Sequence, residues 1–233
     1  MANTPVVVLD DTLTNIANAI RGKNGSSDKY KPGQMANAID NIPAGGLGIP
    51  REVIDGVYKI PEVTSFSLPS NATDVGKWAL KYAFDSHPSL TSVDLSSLTS
   101  VSGEQAFYNA FYNCKSLTSV DLSSLVTVNG NRALSFAFYA CSALTSVDLS
   151  SLVNVTGYMS FYNTFSACSS LTSLSFPALT VSGLGFGGTQ FDNMLNGVTG
   201  CTIHFPASTQ AKIETMTGYP NFGGTNTTVL FDL

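Results

Sequence analysis

Ser89-Leu90-Thr91-Ser92-Val93-Asp94-Leu95, Ser116-Leu117-Thr118-Ser119-Val120-Asp121-Leu122, Ala143-Leu144-Thr145-Ser146-Val147-Asp148-Leu149 and Ser170-Leu171-Thr172-Ser173-Leu174-Ser175-Phe176 are versions of one heptapeptide, each 27 residues after the last. A fixed period of this size is the signature of a solenoid, whose coils bury their apolar faces against neighbouring coils. Within each coil the alternation Val93/Leu95, Val120/Leu122 and Val147/Leu149 predicts a short strand with two side chains turned inward. A second apolar pair follows at Leu98/Val101, Leu125/Val128 and Leu152/Val155, then a glycine at 103, 130, 157 and, one residue early, 183.

The remainder of each coil carries apolar residues at i, i+3 and i+4: Phe107/Ala110/Phe111, Leu134/Ala137/Phe138, and Phe161/Phe165 with Thr164 between. That spacing predicts a short helix seated against the strands. Strand inside, helix outside and a turn at each end make a leucine-rich repeat, an α/β solenoid with a parallel sheet on its concave face and short helices on its convex face. Weaker copies flank the regular ones. Val63 to Leu68 matches the strand one period earlier, with Leu80, Ala83 and Phe84 as its helix. Downstream, a helix marked by Phe191, Met194 and Leu195 follows the Gly-rich stretch 183–188, then a strand at Thr202 to Phe205. A last helix near Thr209 to Met216 and a strand at Val229 to Phe231 complete a cap beginning at about 177, the loss of pattern expected where a solenoid hides its end.

Residues 1–42 read as a separate helical module. Asp11 or Thr12 can cap a first helix with Leu13, Ile16, Ala17 and Ile20 on one side, and Pro32 opens a second carrying Met35, Ala38, Ile39 and Ile42. Two helices this short need a partner to be stable in water, so Leu13, Ile16, Ile20, Met35, Ile39 and Ile42 are candidate assembly residues. Residues 43–50 (Pro43 to Pro50) form a linker, and 51–233 the solenoid.

Composition narrows the function. Only 12% of residues are charged against 43% apolar, so Ser, Thr, Asn and Gly must cover the surface. The net charge is −5; residues 1–50 carry four acids and four bases, which leaves all of the excess in the repeats. Nucleic-acid binding, which needs clustered Lys and Arg, is disfavoured. No apolar run approaches the ~20 residues of a membrane span, and Met1 to Asp11 lacks a basic segment followed by an apolar one, so no secretory signal is expected.

Cys114, Cys141 and Cys168 share one repeat position, held one coil earlier by His87. They read as a row of small buried thiols; a metal would need tetrahedral ligands, and a row lies along a line. His87 and His204 are the two histidines; a Ser–His pair is possible by composition, but nothing marks a nucleophile or an oxyanion hole, and the glycines form no phosphate loop. Neither catalytic residue, cofactor nor metal is expected.

The candidate binding surface is the concave ladder. Ser92, Ser119, Ser146 and Ser173 form one outward row, Asp94, Asp121, Asp148 and Ser175 a second, and Thr91, Thr118, Thr145 and Thr172 edge the same face. Carboxylates about 5 Å apart repel by ~0.8 kcal/mol in water and ~3 kcal/mol at an effective dielectric of 20. Such a row must be well solvated or satisfied by a cation or sugar hydroxyls. The plain alternative is a solvated face that repeats because the coil was duplicated. Tyr108, Tyr112, Tyr139 and Tyr162 form a second candidate set, for assembly on the convex side, with packing between neighbouring coils as its alternative.

The run Phe111-Tyr112-Asn113-Cys114-Lys115-Ser116-Leu117-Thr118-Ser119-Val120, and its copy from Phe138 to Val147, resemble BspA-type leucine-rich repeats, which place Phe, Cys and Leu-Thr-Ser-aliphatic in each coil. The resemblance spans residues 63–205, in coils a few residues longer than usual, and implies binding, commonly on bacterial cell surfaces, without catalysis. Residues 12–39 are similar to a helical module that opens tail-associated proteins of phages and prophages of Gram-positive gut bacteria. The ending Phe222 to Val229 is similar to closing segments from the same setting. These ends imply a phage virion structural protein (fibre, tail tip or capsid surface) made in the host cytoplasm, joined to other virion proteins through residues 1–42 and meeting a host-surface glycan or protein through the ladder. A homotrimer is the expectation for fibres in general. The alternative is a bacterial cell-surface adhesin.

Overall fold

The computed structural model describes residues 63–68, 70, 72–185 and 187–233, together with the backbone of Glu52–Ile54 and Val57–Lys59. The helices expected between 11 and 42, and the linker 43–50, lie outside the described residues. The two short strands β1 (Glu52–Ile54) and β2 (Val57–Lys59) pair antiparallel and precede the solenoid.

Six coils follow. Their principal strands are β3 (Ser65–Ser67), β4 (Ser92–Asp94), β6 (Ser119–Asp121), β8 (Ser146–Asp148), β10 (Ser173–Ser175) and β11 (Thr202–His204), with β12 (Thr228–Leu230) closing the last. The pairing is parallel and in register: Ser65 faces Ser92, which faces Ser119, which faces Ser146. Each inward residue therefore stacks on its copy, and Val93, Leu95, Val120, Leu122 and Leu149 are buried. The second apolar pair builds a smaller ladder, β5 (Ser100–Val101), β7 (Thr127–Val128) and β9 (Asn154–Val155). Between Ala207 and Ile213 a 3-10 turn runs into one α-helical turn, shorter than the helix expected to Met216.

Among the described residues the expected convex helices are absent. From residue 76 onward each coil makes tandem tight turns with every fourth residue left-handed: Trp78, Tyr82 and Ser86, then Gln105, Asn109 and Asn113, then Arg132, Phe136 and Ala140. Alternate N–H groups divide their duties. Ala79, Lys81, Ala83, Asp85 and His87 donate to carbonyls three residues back, at 3.0–3.3 Å. Trp78, Leu80, Tyr82, Phe84 and Ser86 donate to Glu104, Ala106, Tyr108, Ala110 and Tyr112 of the following coil, at 2.7–3.1 Å. The physical reason lies in the coil spacing. An α-helix is about 10 Å wide, whereas strands in register lie ~4.8 Å apart. Helices would force the outer side to fan open; hydrogen-bonded turns keep both sides in step. Each left-handed residue costs ~1–2 kcal/mol, and the inter-coil bonds and stacked core offset it.

Aromatic columns fill the interior. Phe84, Phe111, Phe138 and Phe165 stack on the turn side with centroids 5.1, 5.3 and 5.8 Å apart. In the next coil that column ends at Leu195, and a new one starts beneath the strands with Phe176, Phe205 and Phe231, at 5.2 and 6.2 Å. From the fifth coil onward aromatic rings thus also lie beneath the strands, while Phe191 and Phe222 stay buried on the turn side.

Candidate functional site

The strand face carries a groove of about 670 Å³ lined by Ser92, Asp94, Ser119, Asp121, Ser146, Asp148 and Ser175, with Val93, Val120, Val147, Leu149, Ser150 and Pro177 completing it. Register explains the gathering: one side chain per coil, repeated at the strand spacing, makes rows. The Ser and Asp members of β4, β6 and β8 are exposed, and Ser175 is half-buried. No Lys or Arg lines the groove. Sequence reasoning placed the valines wholly inside; between polar rows they also form the groove floor, and Val147 is only half-buried.

The rows are not equally free. Each aspartate ties its own turn: Oδ1 of Asp94, Asp121 and Asp148 accepts the N–H of Ser96, Ser123 and Ser150, at 2.9 Å in every case. Where the aspartate is missing, so is its donor. Ser67, Ser175 and His204 occupy the same row, and the residues two places on are Pro69, Pro177 and Pro206. Proline has no N–H to cap. The Asp row is therefore a set of turn caps, with a second carboxylate oxygen left over on Asp121 and Asp148. Asp94 also accepts the Ser96 hydroxyl at 2.6 Å and the Ser67 hydroxyl at 3.1 Å. The Ser96 hydroxyl and N–H hold its carboxyl below the usual carboxylate range, Ser67 adds to this, and partial burial opposes it.

The threonines belong to the scaffold. The hydroxyls of Thr91, Thr118 and Thr145 donate to the carbonyls of Thr64, Thr91 and Thr118 at 2.9–3.1 Å, and the same carbonyls accept the threonine N–H groups. Thr172 makes neither bond to Thr145, and neither Thr172 nor Ser173 is among the groove-lining residues.

Elsewhere the candidate residues turn inward or pair with one another. The thiols of Cys114, Cys141 and Cys168 are buried and donate to the carbonyls of Phe84, Phe111 and Phe138 at 3.0–3.1 Å. Burial pushes the Cys141 thiol well up and Cys168 up to about 12. Tyr108 packs edge-on between Tyr82 and Phe136, which also meets Tyr139 and Tyr162. Tyr112 and Tyr139 stack with centroids 4.8 Å apart. All four tyrosines are half-buried. Leu13, Ile16, Ile20, Met35, Ile39 and Ile42 lie outside the described residues. His204 approaches both carboxylate oxygens of Asp232 through Nδ1 at 3.0 Å, and no hydrogen bond joins it to its register neighbour Ser175. Among the described residues, no group of three His, Cys, Asp or Glu could hold a metal, and no helix is long and apolar enough to cross a membrane.

Comparison with known proteins gives one family. The model of the BspA type leucine rich repeat region matches residues 55–185 in six copies. Two solved structures are similar. One is a leucine rich cell surface protein from Faecalibacterium prausnitzii A2-165, 21% identical over 76% of this chain and 47% of that one, with a TM-score of 0.34. The other is a leucine-rich repeat protein from Bacteroides ovatus ATCC 8483, 18% identical over 74% of this chain and 53% of that one, with a TM-score of 0.27. The chain thus spans about half the length of both. No curated protein matches it.

Proposed function

The chain belongs to the BspA-type leucine-rich repeat family, and from that membership we propose that it is a non-enzymatic adhesion protein of a bacterial cell surface, binding its ligand in the strand-face groove. The observation that carries the reading is the groove itself: three coils present an outward serine and a carboxylate at one repeat, on a rigid ladder, with no opposing positive charge. Repetition suits a ligand that also repeats. A reacting centre, by contrast, requires unlike groups converging on one atom. The virion reading depends on residues 11–42, outside the described residues, and on the segment 222–229, which here leads into β12 of the solenoid; the family favours the cell surface.

The test exploits the capping geometry. Asparagine at 94, 121 and 148 keeps an Oδ1 acceptor for each turn and removes the charge. The purified triple variant D94N/D121N/D148N should stay folded, losing only the contribution of the Asp94 charge, yet bind glycan-coated surfaces and whole cells at least about tenfold more weakly, the equivalent of one lost charged hydrogen bond. Unchanged binding would remove the groove from consideration.

A further inference from the structure

We propose that the ligand is centred at a seam in the strand face, between β8 and β10, and that it is an uncharged, hydroxyl-rich glycan; this rests on the adhesion reading above and locates it. The seam is a break in an otherwise continuous ladder. Strands β3, β4, β6 and β8 form one sheet and β10, β11 and β12 another, although β8 and β10 are neighbours. The break is graded. Leu68 and Leu95 donate their N–H to the next coil at 3.0 Å, the matching N–H groups of Leu122 and Leu149 donate to no neighbour, and Phe176 and Phe205 resume the bond at 2.9–3.0 Å. The threonine link fails at the same place, since Thr172 does not donate to Thr145. Behind the sheet the coils stay joined: Phe161, Phe165 and Ala167 still donate to Gln190, Met194 and Asn196.

The core explains the break. Leu174 and Phe176 replace the Val and Leu that lie beneath every earlier regular strand, and a Phe column beneath the strands starts there. Larger side chains under β10 lift it from β8 while the turn side stays closed.

A buried N–H without a partner costs about 1–3 kcal/mol, and Leu149, a groove-lining residue, is 1% exposed. Something with hydroxyl geometry fits there. A peptide strand does not: Cα atoms across the seam come within 8 Å, and an intervening strand would need about twice 4.8 Å. A hydroxyl both accepts from a backbone N–H and donates to a carboxylate, and the spare oxygen of Asp148 stands at the same edge. Anionic polymers would meet Asp94, Asp121 and Asp148 with no base among the lining residues.

The experiment uses the whole chain, with cellohexaose, xylohexaose and maltoheptaose as neutral probes and a polygalacturonate oligomer as the anionic one. Calorimetry gives affinity, and amide NMR reports Leu149 and Thr172. A neutral probe should bind saturably and shift those two amides. S150R, an exposed groove position at the seam, should weaken binding about tenfold or more, and S92R, at the far end of the groove, by only about threefold. Equal losses from both variants would overturn the seam and leave the groove standing. No loss from either would overturn the groove as well. Tighter binding of polygalacturonate, or no neutral probe bound at millimolar concentration, would overturn the ligand class.

Discussion

Replacing Gly130 with alanine tests how the coils are held together. Gly103, Gly130 and Gly157 stack in one row, and none needs glycine for its backbone angles. What they need is closeness. A methyl on Gly130 would sit 2.7 Å from the carbonyl carbon of Gly103, 2.9 Å from the oxygen of Ser102, and nearer still to the oxygen of Gly103. All three are backbone atoms that no rotamer change can move. The coil must retreat by close to 1 Å, an overpacking penalty of about 1–3 kcal/mol. The bonds from the N–H groups of Asn129 and Gly130 to Val101, at 3.2 and 3.1 Å, then lengthen at a further cost of about 1 kcal/mol each. The expected loss is ~3–5 kcal/mol, read from urea unfolding followed by circular dichroism. Gly200 supplies the control: it is left-handed but has nothing within 4 Å of its missing methyl, so its alanine variant should lose only the ~1–2 kcal/mol of backbone strain. Gly-to-Ala normally stabilises where the backbone is compatible and space exists, by about 0.4–1 kcal/mol. A G130A protein as stable as the parent would refute the close-contact reasoning.

The aspartate caps predict a split between two substitutions: D121A should lose about 1 kcal/mol and D121N close to none, because only the amide retains the acceptor for Ser123; equal losses in thermal unfolding would speak against capping. For Asp94 the native pKa lies below the unfolded one, so its contribution is fully present above about pH 4 and fades as pH falls through the lower native value; D94N should therefore flatten the acid limb of a pH–stability curve. The thiols behave oppositely. With Cys168 protonated to about 12 and Cys201 to about 11, stability should be complete below the unfolded thiol pKa of about 8.5 and decline as pH rises from there towards those values. In native protein at pH 8 a thiol reagent should find none of the four cysteines reactive and all four after denaturation; one fast-reacting thiol would contradict the burial.

What the sequence made legible follows from register. Val93 and Leu95, Leu98 and Val101, and Cys114 are buried where the 27-residue period put them, because in-register stacking turns a repeat into a column. The turn side was not legible for a specific reason. Ala106, Phe107, Ala110, Phe111 and Cys114 are the buried members of their segment, and over nine residues a four-residue turn period and a 3.6-residue helix period select the same side chains. Asn at 109, 113, 163 and 193 is compatible with left-handed backbone, but Trp78, Tyr82 and Phe136 adopt it too, against their local preference. Inter-coil bonding overrode propensity, and no single coil contains that information.

The same distinction governs the groove. The serine and aspartate rows could be read from the period, yet the period hid that the carboxylate and the residue two places on form a pair. The exceptions reveal it: Ser67, Ser175 and His204 precede prolines that cannot be capped. The seam was written in exceptions as well, in Leu174 and Phe176 where a regular coil has Val and Leu, and in Leu195 where it has Phe. In a ladder of identical coils each regular position fixes only the stacking, and every coil offers the same surface. A place on that surface becomes distinguishable only where the repeat fails, so binding confined to one position along the groove requires a defect. Here the substitutions, the new aromatic column beneath the strands and the unbonded edge of β8 fall at the same coil.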